Sequence, residues 1–181
     1  MKGMVFTEFT EFVEHRCGLD MVDRMFQESD VPSGGAYTAV GTYDHREMVQ
    51  LVGTLARLSE SSVPALLKAF GSHLLGRFLK AHPAFFTQAG SLFAFVESID
   101  QHIHVQVRKL YPDAELPSFT TQQPSADTLH LDYRSKRGFA DLAEGLLVAA
   151  IAHFKEPVNL QRQDDVPEPA ATRFTLVRTT A

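Results

Sequence analysis

The sequence predicts an α+β chain, helical through its first two-thirds and closed by a four-stranded antiparallel sheet. Three observations predict it. Apolar residues recur with a helical period from the N-terminus to about residue 110. After Pro112 the period drops to two, with Leu129 and Leu131 alternating with His130 and Asp132. Two strands, a helix and two more strands then follow in order, a pattern that suits an antiparallel sheet.

Residues 4–17 place Val5, Phe9, Phe12 and Val13 on one helical face, and Gly18 supplies a stop. A short amphipathic helix is expected over 19–28, and Pro32, Gly34 and Gly35 then break the pattern. Asp44 is suited to cap a helix over about 45–58, with Met48, Leu51, Val52 and Leu55 inward. Ser61 or Ser62 before Pro64 marks the next start. That helix carries Leu66, Leu67, Phe70, Leu74 and Phe78 and ends before Pro83. A short apolar segment spans Ala84–Ala89, and one long helix is expected from about Ser91 to Leu110. Strands are expected at 118–122 and 128–133, a helix at 139–154, and strands at 158–162 and 173–178 around a polar, proline-containing loop.

The 181 residues fit one domain with a substantial core, 44% hydrophobic and rich in Phe (14 residues). Those rings suit either ordinary core packing or the walls around a flat ligand. A net charge of −5 argues against a nucleic-acid-binding face. Cys17, the single cysteine, excludes an internal disulfide and any multi-cysteine zinc site; a buried core position is expected for it, with a reactive thiol as the alternative. The opening MKGMVFTEF is too polar for a signal peptide, and no apolar run is long enough for a bilayer, so a cytoplasmic location is expected.

Of the eight histidines, His102 and His104 stand out, in FVESIDQHIHVQVRKLYP. At about 100° per residue, Leu92, Val96, Ile99, Ile103, Val107 and Leu110 form one apolar stripe. His104 lies at its edge, and His102 falls on the opposite, solvent side. Imidazole is a standard axial ligand for haem iron. Helix position alone leaves His104 as either such a ligand or a boundary histidine bonded to a neighbour. The segment LDYRSKRGF sets Tyr133, Ser135 and Arg137 at alternate positions, all on one side if the strand continues. Two hydroxyls and a guanidinium can bind a pair of carboxylates, such as haem propionates. The same triplet also suits a polar strand end leading into a helix.

The opening MKGMVF, the run IHVQVRKLYPDAELPSF, the YRSKR segment and the AEGLL helix together resemble the haem-nitric oxide/oxygen binding (H-NOX) family over essentially the whole chain. The resemblance implies haem b between a helical lobe, about 1–60, and a haem-ligating α+β lobe, about 61–181. It implies His104 as the iron ligand, Tyr133, Ser135 and Arg137 as a propionate clamp, and Pro117 pressing on the ring. On the other face it places Phe9, Leu74 and Leu142, with Phe78 and Leu146 completing the candidate haem contacts. Members that hold O2 have hydrogen-bond donors there. Phe9, Leu74 and Leu142 have none, so the resemblance implies a stand-alone sensor that prefers NO, with CO a further ligand. The cysteine-rich zinc site of some members has no cysteines here.

A sensor that is not an enzyme is expected, in which NO weakens the iron–His104 bond and the freed helix shifts a two-state equilibrium. The resemblance implies two-component-type output, to a histidine kinase or a cyclic-di-GMP enzyme in trans. The alternatives are a haem-free scaffold, a redox or CO sensor on the same haem, and a peroxidase. The last is disfavoured because peroxide chemistry needs a distal acid–base group.

Overall fold

Helices form where the apolar period places them, and polar side chains close their ends. The computed structural model describes residues 1–166 and 171–179. The proline-containing loop expected between the last two strands lies largely outside the described residues. The order is α1 (Gly3–Cys17), α2 (Leu19–Glu28), α3 (His45–Leu58), α4 (Val63–Ala81), α5 (Pro83–Thr87) and α6 (Leu92–Ser98). A π turn (Ile99–Ile103) and α7 (His104–Leu110) follow. Then come β1 (Ser118–Ser125), β2 (Thr128–Arg134), α8 (Ala140–Phe154), β3 (Val158–Asp164) and β4 (Thr172–Arg178). Asp44 caps α3 by accepting the Arg46 N–H, and Ser62 caps α4 by accepting the Ala65 N–H, with Pro64 in its first turn.

The sheet has the order β1-β2-β4-β3, and every neighbouring pair is antiparallel. Its inner face alternates as the sequence predicts: Leu129, Leu131, Phe174 and Leu176 are fully buried, with Tyr133 nearly so. On the outer face the cross-strand partners Asp132 and Arg173 form a two-pronged ion pair at 2.6 and 2.8 Å. The edge strand β1 is interrupted between Gln122 and Ser125, around Pro124.

Two hydrophobic cores result. The first gathers Phe6, Phe9, Phe12 and Val13 of α1 with residues of α2 and α3 and with Leu66, Leu67, Phe70 and Leu74 of α4. The second lies between the sheet and Leu92, Phe93, Phe95 and Val96 of α6 with Ala143, Leu147 and Ala150 of α8. Helices α4 and α8 join them, because their backbones meet at glycines. A Cβ at Gly71 would run into the Leu142 carbonyl oxygen, and one at Gly145 into the Lys68 carbonyl oxygen. Ser72 Oγ donates to the Gly145 carbonyl across the same crossing, at 3.2 Å. Among the described residues no helix is long and apolar enough to cross a membrane.

Three sequence expectations need correction. Within α1 it is Phe6 that is fully buried, while Val5 is only partly so. The reason is the 36–43 loop, which covers that side of the helix and stacks Tyr37 on Phe6 at 4.4 Å. Cys17 is exposed rather than buried, because the last turn of α1 runs past the core. Finally, the helix expected over 91–110 is broken by the π turn. The extra residue in that turn rotates everything after it, so Leu110, expected on the apolar stripe, is 69% exposed.

The glycine crossing gives a direct test. Gly145→Ala has no space for its methyl, since the clashing atom is backbone, and should cost about 1–3 kcal/mol. A melting-temperature fall of roughly 2–4 °C per kcal/mol follows for a chain of this size. Thermal unfolding followed by circular dichroism reads it, and an unchanged Tm would show that the crossing is looser than described.

Candidate functional site

His104 begins α7, immediately after the π turn. Its own N–H donates to the Ile99 carbonyl, five residues back, which is the bond that defines a π turn. Its side chain is 12% exposed, and Nδ1 lies 3.1 Å from Asp100 Oδ1. A carboxylate only accepts hydrogen bonds, so Nδ1 carries the proton in this contact. That leaves Nε2, which has no hydrogen-bond partner among the described residues, free to ligate. Burial holds the imidazole pKa below its ordinary value, outweighing the opposite pull of Asp100. A neutral ring is the form that binds a metal. His102 is exposed, as its side of the helix predicts.

A file of rings continues from His104 across the sheet. Phe119 of β1 lies 5.6 Å from the imidazole and 5.5 Å from the Tyr133 ring on β2. Neighbouring positions across the ladder explain this, because Phe119 and Tyr133 are register partners. Tyr133 is buried, and burial raises its phenol pKa despite hydrogen bonding with Ser135 and the Phe139 backbone. The phenol therefore stays a donor at neutral pH.

The clamp residues differ from the one-sided strand the sequence suggests. β2 ends at Arg134, so only Tyr133 lies in the strand. Ser135 and Arg137 sit in the turn leading to α8, where Ser135 Oγ accepts the Arg137 N–H at 3.1 Å. The chain has to turn here to reach α8, which alternation alone does not reveal. Arg137 is mostly buried and pairs at 2.9 Å with Glu115, which is 83% exposed. So exposed a carboxylate is screened by water, adds little to the pair and is readily exchanged for another. Pro117, half-buried, stands between that loop and β1.

The remaining candidates divide between the two cores. Phe9 and Leu74 are buried in the first, and Leu142 packs against it. Phe78 and Leu146 are half-buried and pack against both cores at the α4–α8 seam. None of these five side chains carries a hydrogen-bond donor. His73, next to Leu74 in sequence, is turned toward α1, 3.4 Å from Glu8 and against the rings of Phe12 and Phe70.

A haem fits this set. The α4–α8 seam keeps Phe78, Leu142 and Leu146 partly exposed, and Ile103 of the π turn and Phe119 of β1 are partly exposed against the second core; a flat apolar ring would cover such side chains. One largely enclosed imidazole with a free Nε2 suffices for an iron already held by a porphyrin. Tyr133, Ser135 and Arg137 form a donor set whose chemistry suits carboxylates. Sequence reasoning missed Asp100, Phe119 and Glu115. The first two were within reach, Asp100 by its four-residue spacing from His104 and Phe119 by strand alternation.

Residues 2–162 match the family model for haem-NO-binding proteins. The chain belongs to that family, the H-NOX proteins. It is 33% identical to the A71G mutant of an H-NOX protein from K. algicida in its Fe(II) unliganded state, covering 99% of this chain and 97% of that one with a TM-score of 0.92. It is 37% identical to the IWP-051-bound H-NOX from Shewanella woodyi in the Fe(II)CO state, covering 99% and 95% with a TM-score of 0.84. An H-NOX protein from S. oneidensis in the Fe(II)NO state shares the fold over 100% of both chains, at 24% identity and a TM-score of 0.85. No curated protein matches the chain.

Phe119 is the hinge of the ring file. Phe119→Ala should destabilise the fold by about 2–4 kcal/mol, below the full cost for a core Phe because the ring keeps some exposure. Urea unfolding measures this; a loss under 1 kcal/mol would mean the file carries no packing energy.

Proposed function

We propose that this protein is a haem-based nitric oxide sensor in which His104 is the axial ligand of a haem b and regulates a separate signalling protein. The observation that carries it is the His104 imidazole: only 12% exposed, held at Nδ1 by Asp100, and free at Nε2. Family membership supplies the prosthetic group. Tyr133, Ser135 and Arg137 would hold the propionates, Arg137 exchanging Glu115 for one of them, with Pro117 against the ring. When bound through His104, the haem would supply a ferrous iron able to take a diatomic gas, and NO would be expected to weaken the bond to that histidine.

The chain's own residues set the selectivity. Polarised O2 gains from a hydrogen-bond donor, whereas NO needs little help. Phe9, Leu74 and Leu142, the positions proposed to face the gas, offer none. CO is also accommodated by an apolar pocket, as its presence in the Shewanella woodyi relative agrees. Loss of an iron bond at His104 would free the π turn and α7, whose following loop is tied to the start of the N-terminal helix. There Lys2 Nζ lies 3.3 Å from Asp113, Thr42 Oγ1 donates to Asp113 at 2.7 Å, and Lys2 sits 5.1 Å over the Tyr111 ring. Movement of α7 therefore pulls on α1. The receiver we propose is a histidine kinase or a cyclic-di-GMP enzyme acting in trans, and the protein itself is a binding module rather than an enzyme.

Purified protein should show a Soret band, and His104→Ala should lose the haem or its axial bond. Normal proximal ligation in that variant would end the assignment, and no Soret band in haem-supplied wild type would favour a haem-free scaffold. Reduced protein in air should form no stable oxygen complex while binding NO. A stable oxy spectrum would overturn the argument from Phe9, Leu74 and Leu142.

A further inference from the structure

The contact between Asp100 and His104 has a role beyond packing. Asp100 lies inside the π turn, and its carboxylate meets Nδ1 of His104 at 3.1 Å. The π turn matters because its extra residue sets where His104 points relative to the preceding helix, and His104 N–H closes that turn on Ile99. Asp100 is 35% exposed, and it borders a cleft of about 170 Å³ with Val96, Glu97, Gln101, Phe119 and Thr121. The carboxylate thus keeps one side toward solvent while the imidazole is enclosed. Arg108, four residues beyond His104, is the other charge that acts on the ring. A metal-ligating histidine takes its tautomer and basicity from whatever its second nitrogen donates to, and a carboxylate is the strongest such acceptor.

We propose that Asp100 is a positioning residue for His104, fixing the Nδ1–H tautomer, aiming Nε2 at the iron and lending it negative charge that strengthens the axial bond. Asp100 would thereby set how firmly His104 holds a haem iron against NO. The inference rests on the haem reading above. It is specific to the charge of the side chain: an amide of the same size keeps the shape and loses the donation.

Resonance Raman spectroscopy of the reduced, haem-loaded protein tests this through the iron–histidine stretch. Asp100→Asn should shift that band to lower frequency, and Asp100→Glu, which keeps the carboxylate, should restore most of the shift. In stopped-flow mixing with NO, His104 should leave the iron roughly tenfold faster in Asp100→Asn, at the lower end of what losing an outer-shell partner costs. Circular dichroism of each variant checks that the helix is intact, which the partial exposure of Asp100 favours. A stretch and a release rate unchanged in Asp100→Asn, with haem bound through His104, would overturn the proposal while leaving the haem reading in place. Wild-type protein that takes up no haem would overturn both, and shows itself by the missing Soret band rather than by any difference between variants.

Discussion

The constraint on which the rest depends is the backbone contact between α4 and α8 at Gly71 and Gly145. With no side chains between them the two helices lie unusually close, and each can serve both cores. Leu74 goes to the first core and Leu75 to the second, while Phe78 and Leu146 touch both. If either glycine carried a larger side chain, the seam would widen and the half-buried apolar residues along it would lose their spacing. The spacing of the candidate haem contacts is thus set by two glycines that are not themselves among them. Interiors packed to crystal-like density transmit such changes rather than absorb them.

Much of the fold was legible because it is local. The caps at Asp44 and Ser62, the alternation of Leu129 and Leu131, and the strand–strand–helix–strand–strand order are written in short windows of sequence. What escaped is long-range or depends on a single extra residue. Burial of Phe6 needs the 36–43 loop, which no helical wheel contains. The π turn has no marker in IDQHI, yet it turns Leu110 outward and redefines which residues share a face with His104.

The candidate site shows the same division. His104, Tyr133, Ser135 and Arg137 were found as residue types with apt spacing, and family resemblance joined them. Their actual arrangement was not readable: the clamp is a strand end and a turn rather than one strand face, because the chain must reverse to start α8. Of the partners that give the imidazole its character, Asp100 is local, four residues back, whereas Phe119 lies on another element and meets the ring only once β1 packs along the π turn.

The two edges of the sheet bear on how this molecule can meet others. β1 is broken around Pro124, which leaves a strand unable to offer a continuous row of backbone groups. β3 carries Arg162 directed at Asp141 and Glu144 of α8, at 2.6 and 2.9 Å, a charge that an added strand would have to shield from water. Both borders therefore resist extension of the sheet by another chain. Helix surfaces and loops are the parts left open to another chain, and a rotation of α7 or α1 is presented there directly, undamped by a shared ladder of hydrogen bonds.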